Sequence, residues 1–377
     1  MRRRWGEMEE KIRVLHIVSG NMSVAGQETF IMNVFRNINR NIFIFDFLCL
    51  IPEKGDYDEE ITKLGGTVNF LPRNKNKILD FFSTKRKIFE FLKGHNNYNI
   101  VHIHSDSSHY PYMIAKATIQ FGVKKIIVHS HNKSCGQKLR QRFMHFYYRP
   151  KLNKLPISKF ACSFAAGQWM FGKKAIGIKV INNAIDISKF VFNSNLRTQI
   201  RVEMGLENKI VLGHIGRFEN VKNHSFLIDI FNELAKFHND TALLLVGKGP
   251  LMDSIKNKVE NLGLSSKVHF LGIRQDVNLL LNAMDVFCFP SFYEGFGIVL
   301  LEARVNGLNC LVNKSGIPQE IIDTLSLETM LLNENAANWA RAVSKLAKNR
   351  ISSENIAKIF DIKNVVRELE NYYIVRD

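Results

Sequence analysis

Two stretches of this chain have the same form: a short β-branched run ends in glycine and is followed by a segment of amphipathic helical period. The first run is Ile12-Arg13-Val14-Leu15-His16-Ile17-Val18, ending in Ser19-Gly20, after which Phe30, Ile31, Val34 and Phe35 recur at helical spacing between Glu28 and Ile38. The second is Ile210-Val211-Leu212-Gly213-His214-Ile215-Gly216, ahead of an amphipathic helix from His224 to Phe237. Strands that alternate with helices must pair in parallel, because the helix is the crossover, and both sheet faces are then covered. The pattern restarts halfway along the 377 residues, so two α/β domains of about 150 to 200 residues in series are expected.

Further strands are predicted at residues 42–50, 67–70, 100–104, 125–129 and 178–181, then at 241–246, 268–271 and 285–289. Helices are predicted at 256–261 and from about Ser353 to Tyr373. The boundary falls near residues 183–195. The predicted division is an N-terminal Rossmann-like domain over 1–185, a C-terminal one over 186–352, and a last helix over 353–377 that packs back toward the first domain. In open α/β sheets ligands bind beyond the carboxyl ends of the strands. Gly20 and Gly26, His104, His129, Gly216-Arg217, Gly247-Lys248 and Tyr293-Glu294-Gly295 all follow strands, and are expected to line a cleft between two facing domains.

Pro290-Ser291-Phe292-Tyr293-Glu294-Gly295-Phe296-Gly297 leads into the helical run Ile298-Val299-Leu300-Leu301-Glu302-Ala303. The glycines let backbone amides approach a ligand, and the helix N-terminus offers free N–H groups and a positive dipole to phosphate. At 1.5 Å per residue the two carboxylates would stand on the order of 10 Å apart, about the span from a nucleotide's ribose to a sugar joined through pyrophosphate. Taken alone, Glu294 could cap a helix and Glu302 face solvent. The glycine turn and the apolar flanks of Glu302 favour a ligand. In Gly216-Arg217-Phe218-Glu219-Asn220-Val221-Lys222-Asn223, an arginine and a lysine just past a strand can neutralise a diphosphate and stabilise it as it leaves. Val128-His129-Ser130-His131-Asn132 puts two histidines at a strand end; no third ligand stands at a recognisable metal spacing, and a structural histidine is the plain alternative. No paired aspartates suited to magnesium are present, so neither metal nor other cofactor is expected.

These motifs resemble the retaining glycosyltransferases of family 4, with the GT-B fold, of the kind that builds bacterial capsular polysaccharide and exopolysaccharide. The resemblance covers nearly the whole chain, and its strongest element is Glu294-Gly295-Phe296-Gly297 through Glu302, the family's Glu-x7-Glu motif. It implies that Glu294 holds the donor sugar and Glu302 the ribose, with Arg217 and Lys222 as leaving-group cations. It also implies that His129, or failing it His131, reaches the donor sugar, and that Gly26 lies near the donor phosphates. Gly272 and Ile273 would lie beside the base, and Gly295, Phe296, Gly297 and Ile298 would complete the donor site. The reaction implied is metal-independent transfer of a sugar, from a nucleotide diphosphate sugar taken as UDP-linked, to a hydroxyl of a lipid-linked saccharide, with front-face retention at the anomeric carbon. Ala25, Phe164, Ala184 and Arg304 depart from the family pattern, which bears on donor choice.

The net charge of +17 is uneven. Residues 73–190 hold 22 Lys and Arg against 4 Asp and Glu, which calls for an anionic partner. Lys75 to Lys93 interleaves cations with Ile78, Leu79, Phe81, Phe82, Ile88, Phe89 and Phe91, and Lys138 to Lys159 mixes cations with Phe143, Phe146, Tyr147 and Tyr148. Basic and aromatic residues sharing helices suit an anionic membrane interface, where a polyprenyl-diphosphate-linked acceptor would be found. No run approaches the roughly 18 apolar residues of a membrane span. Arg2, Arg3 and Arg4 are followed by Glu7, Glu9 and Glu10 in place of an apolar signal core. Cys49, Cys135, Cys162, Cys288 and Cys310 are odd in number and widely spaced, which reads as thiols of a reducing compartment. The expectation is a cytoplasmic protein, peripheral at the inner face of the cell membrane. Other readings are a nucleic-acid-binding α/β protein, though no recognition motif is present and no nucleic acid is expected as partner, a non-catalytic saccharide binder, or a sugar-nucleotide epimerase.

Overall fold

The computed structural model of the chain describes residues 10–74, 76–132, 139–352, 356 and 359–375. Two units emerge, one running to Ala184 and resumed from Ile362 onward, the other spanning Ile185–Asp361.

The first unit is built on seven parallel strands: β1 (Ile12–Val18), β2 (Phe43–Cys49), β3 (Thr67–Phe70), β4 (Ile100–Ser105), β5 (Lys125–Ser130), β6 (Ser158–Ala161) and β7 (Ile178–Val180), in the order β3-β2-β1-β4-β5-β6-β7. The reversal of order between β1 and β4 is the topological switch point, where open α/β sheets take ligands. Side chains alternate across the sheet. Leu15, Ile17, Val101, Ile103 and Val128 share one apolar core with Ile88, Leu92, Ile114 and Leu152 of the covering helices. Each such side chain, fully buried, contributes about 1.5–3 kcal/mol. The other face carries His16, His102, His104 and His129 at the alternate positions. Against it lie the helix Gly26–Asn37, through Phe30, and the helix Ile362–Ile374, through Tyr373.

The second unit has six parallel strands: β8 (Ile210–Ile215), β9 (Thr241–Val246), β10 (Val268–Gly272), β11 (Val286–Phe289), β12 (Asn309–Asn313) and β13 (Glu328–Met330), in the order β10-β9-β8-β11-β12-β13. Its switch point lies between β8 and β11. Leu212, Leu243, Leu245, Val286 and Cys288 pack against Leu227, Ile228, Phe231 and Leu234 of the helix His224–Phe237 and against Trp339 of the helix Ala336–Leu346.

The strands predicted from hydrophobic runs are present within a residue or two. Those at β6, β12 and β13 were not predicted. In β12 the terminal Asn309 and Asn313 leave an apolar run of three, and their amides serve neighbouring loops: Asn309 donates to the carbonyls of Leu346 and Asn349 at 2.9 and 2.7 Å, Asn313 to that of Ser291 at 2.9 Å. The last described helix begins at Ile362, and the predicted start at Ser353 lies outside the described residues, as do Arg2, Arg3, Arg4, Glu7, Glu9, Lys75, Cys135 and Lys138. Cys49, Cys288 and Cys310 are buried free thiols. Among the described residues no helix is long and apolar enough to cross a membrane.

Candidate functional site

In the second unit the loops after β8 and β11 meet at the switch point. Past β8 a short 3-10 turn, Asn220–Lys222, leads to Asn223 in the left-handed conformation (φ 55°), which redirects the chain into the helix His224–Phe237. This turn brings Lys222 Nζ to 2.6 Å from Glu294 Oε1. Both side chains are mostly withdrawn from solvent, at 18% and 13% exposure. The ammonium also lies 4.6 Å from the centroid of the Phe289 ring, an aromatic face that favours a cation. Two backbone bonds fix the loop after β11: Phe292 N donates to Val221 O at 2.9 Å and Glu294 N to Gly316 O at 2.8 Å.

The approach of β8 to β9 at this end requires glycine. A Cβ on Gly247, whose φ is +134°, would stand 2.1 Å from the carbonyl oxygen of Gly216, closer than any side chain tolerates. Beneath Lys222, His214 is wholly buried and gives Nδ1 to the Cys288 carbonyl at 2.8 Å, while its Nε2 has no partner among the described residues. Burial, first, holds that imidazole neutral, well below its usual pKa. Arg217 is exposed and pairs with Glu219 at 3.1 Å.

Glu294 to Gly297 are not helical. The helix runs Ile298–Val305, so Glu302 stands in its second turn and not two turns beyond Glu294, as uniform helical rise would place it. Gly297 has φ +75° and no side chain caps the helix start, leaving its first amides for a ligand. Phe296 is buried against Phe360, so only its backbone is offered. Ile298 is buried as well, and Gly295 is half-buried. The Glu302 side chain has no hydrogen-bond or ion-pair partner among the described residues, and burial alone pushes its carboxyl up to about 8. An unpaired carboxyl of this kind is a hydrogen-bonding group awaiting a partner. Arg304, one of the departures, is buried and donates to the carbonyls of Leu325 and Leu308 at 2.7 and 3.1 Å, so its role is to hold loops. Gly272 closes β10 with φ +66°, and Ile273 beyond it is exposed.

In the first unit Gly26 opens the helix Gly26–Asn37, where a Cβ would meet no described atom within 4 Å beyond its chain neighbours and its own helix backbone, and Ala25 holds the capping position without a cap bond. Glu28, in its first turn, is buried; burial and then the Asp106 carboxylate push it up to about 7. β5 extends to Ser130, so His129 lies inside the sheet with no exposure and His131 just past its end at 9%. These two are part of a group of five. His16 Nδ1 is 3.0 Å from His104 Nε2, and His104 Nδ1 is 2.8 Å from His131 Nε2. Separately, Tyr373 Oη is 2.8 Å from His102 Nδ1, and His102 Nε2 is 3.3 Å from His129 Nδ1. Burial holds all five rings neutral, His16 and His131 down to about 3. Two trios, His16-His102-His104 and His104-His129-His131, have ring nitrogens within 4.8 Å of one another and are the described groups with the donors to hold a transition metal. Sequence reasoning placed His104, His129 and His131 at strand ends but did not group the five; the signal was the His-x-His spacing in β4 and at the end of β5, with His16 of the neighbouring β1 beside His102.

The stretch 197–359 matches the family model described as glycosyl transferases group 1. EpsF of Bacillus subtilis (strain 168), classed as a glycosyltransferase, is 32% identical over 375 residues, 96% of each chain. The UDP-Gal:alpha-D-GlcNAc-diphosphoundecaprenol alpha-1,3-galactosyltransferase of Escherichia coli is 26% identical over 405 residues, 97% of each. Among solved structures, that of Anabaena HepE in complex with UDP superposes with a TM-score of 0.77 at 18% identity, over 96% of this chain and 99% of that one. HepE has also been crystallised with UDP-glucose.

Proposed function

Because the chain belongs to the glycosyl transferases group 1 and has their two-sheet GT-B fold, we propose that it moves a sugar from a UDP-sugar to a hydroxyl of a polyprenyl-diphosphate-linked saccharide in capsular or exopolysaccharide assembly. The observation that carries this reading is the set of groups at the second switch point. An ammonium held against a carboxylate stands ahead of an uncapped helix start, and an unpaired carboxyl follows one turn into that helix.

Each group has a proposed task. The helix amides and Lys222 take the diphosphate, and Arg217, exposed and free to swing from Glu219, joins them as charge builds on the leaving group. Glu294, released from Lys222 when phosphate arrives, accepts hydrogen bonds from the sugar hydroxyls. Glu302 accepts from the ribose diol, and Gly272 and Ile273 flank the base. Two cations suffice for the diphosphate, so the transfer is proposed to run without a divalent metal. It is proposed to proceed on the front face with retention, a departing phosphate oxygen assisting deprotonation of the incoming hydroxyl. In the first unit His131, past the strand end, is preferred over the enclosed His129 as the residue that hydrogen-bonds the donor sugar. The lipid-linked acceptor is proposed by analogy with the Escherichia coli relative, whose name specifies a diphosphoundecaprenol substrate.

The first unit is proposed as the acceptor and membrane side. Leu139, Phe143, Phe146 and Tyr147 recur at helical spacing and are exposed on the helix Leu139–Asn153, beside Arg140 and Arg142. Ile78, Leu79 and Phe82 are exposed on the helix Lys77–Gly94, and the Phe81 and Tyr148 rings, 5.6 Å apart, join the two helices. A recess lined by Arg73, Asp80, Thr84 and Tyr110 opens beside this stripe. Aromatic and aliphatic groups next to cations fit the interface of an anionic bilayer at the inner face of the cell membrane, where a lipid-linked saccharide would be presented. The test of the activity is UDP release from a panel of UDP-sugars with and without a polyprenyl-diphosphate saccharide, in the presence of EDTA. Release by the wild type supports the reading, and no release from any donor by folded protein counts against it.

A further inference from the structure

Three of the buried histidines form one hydrogen-bonded chain with two open ends. Each link joins a nitrogen of one ring to a nitrogen of the next, His16 Nδ1 to His104 Nε2 and His104 Nδ1 to His131 Nε2. His16 Nε2 and His131 Nδ1 have no partner among the described residues. A neutral imidazole carries one N–H, and one N–H must sit in each link. Three protons in two links leave one over, so the rings cannot choose tautomers independently. Either every ring donates toward His131, which then shows an outward Nδ1–H, or every ring donates toward His16, which then shows an Nε2–H.

The surroundings of the two ends decide between them. His16 lies deep under the sheet face, with the Phe45 and Phe47 rings at 4.3 and 5.5 Å. Both end nitrogens are buried, and orphaned N–H donors are rarer in protein interiors than unfilled acceptors, so the N–H belongs at the end a ligand can reach and the bare nitrogen at the other. His131 lies past the end of β5 and is the least enclosed of the five rings. We infer that His104 and His16 are positioning residues that lock His131 as a neutral imidazole with its proton on Nδ1, so that it meets a ligand only as a hydrogen-bond donor. Resting on the reading of His131 as the donor-sugar contact, this gives that contact its direction: His131 donates to a sugar oxygen and does not take a proton from the acceptor. The second chain, Tyr373-His102-His129, stacks against the first, His102 on His104 and His129 on His131, both with ring centroids 4.2 Å apart, and holds its rings in place.

The test is the nitrogen spectrum of the full chain labelled with 15N-histidine, His131 being assigned by its loss in His131→Ala. The expected wild-type result is a pyrrole-type Nδ1 and a pyridine-type Nε2 on His131. In His104→Phe, which keeps an aromatic ring but removes both links, the two His131 signals move toward a tautomer mixture. In His104→Asn, whose amide can occupy the place of Nδ1 and donate to His131 Nε2, the wild-type pattern returns. Turnover of whichever of UDP-glucose, UDP-galactose or UDP-N-acetylglucosamine is used should follow: kcat/KM down about tenfold in His104→Phe and within about threefold of wild type in His104→Asn, with UDP affinity unchanged in both. A protonated Nε2 on wild-type His131, an unchanged His131 pattern in His104→Phe, or one equivalent of bound zinc on the purified protein would overturn the inference. Full activity in His131→Ala would instead refute the sugar contact while leaving the tautomer result standing.

Discussion

Lys222 Nζ and Glu294 Oε1 meet at 2.6 Å beyond the ends of β8 and β11, over the face of Phe289. A pair this withdrawn from water stores two charges next to each other until a ligand separates them. The proposal assigns the ammonium to phosphate and the carboxylate to sugar, so the two halves should respond differently to substitution. Lys222→Ala is expected to weaken UDP binding about 10- to 100-fold, the range for one charge-assisted hydrogen bond. Glu294→Ala is expected to leave UDP affinity within about threefold while weakening the UDP-sugar. Titration calorimetry with both ligands distinguishes this from a single structural defect, which would weaken both alike.

Glu302 supplies a prediction in pH. Its carboxyl is at about 8 in the folded chain and near 4.5 when exposed. Between these values the folded state holds a proton that the unfolded state has released, so stability falls as pH rises from 4.5 to 8. Glu302→Gln should flatten that slope in thermal melts at a series of pH values. If a ribose diol donates to the ionised carboxylate, UDP binding must also expel the proton. Calorimetry at pH 7 in buffers of different ionisation enthalpy should show net proton release in wild type and less of it in Glu302→Gln. Equal release in the two proteins would mean that another group is responsible.

The two-domain α/β fold was legible because most strands stand out as apolar runs, even where one face carries polar side chains, as the histidines of β1, β4 and β5 do. The strands β6, β12 and β13 do not stand out. β12 is interrupted by asparagines whose amides hold loop carbonyls, a use no periodicity detects. The pairing of Lys222 with Glu294 was within reach of the sequence only as two motifs after two strands; their contact depends on β8 and β11 being neighbours at the switch point, which is a fact of topology. The proposed preference for His131 over His129 rests on where one strand ends. β5 ends at Ser130, and that places His129 inside the sheet.

Tyr373 ties the last helix to the sheet of the first unit by its hydroxyl contact with His102, 2.8 Å from Nδ1. Tyr373→Phe leaves the ring packing intact and one buried imidazole nitrogen unpartnered. The expected loss is about 1–3 kcal/mol, read as a lower denaturation midpoint with unchanged m-value. No loss would mean that His102 finds another partner.

The exposed stripe on the helix Leu139–Asn153 is predicted to be the part of the chain that enters the lipid interface. Leu139→Ser with Phe143→Ser should reduce co-sedimentation with vesicles containing anionic lipid by at least fivefold while UDP-sugar hydrolysis in solution is kept. Binding should also fall with added salt, each nearby cation contributing about 1 kcal/mol. Co-sedimentation indifferent to both anionic lipid and salt would remove the membrane from the account.

The central claim, that the switch point of the second unit is the donor site of a UDP-sugar transferase, is tested most directly by one comparison. UDP release is measured for wild type and Glu294→Ala, both shown to be folded, across a panel of UDP-sugars with a polyprenyl-diphosphate saccharide as acceptor. The account predicts release from at least one donor by wild type and a loss of at least about 100-fold in the variant, the size expected when a polar group that acts on the reacting sugar is removed. Equal rates in the two proteins would contradict it.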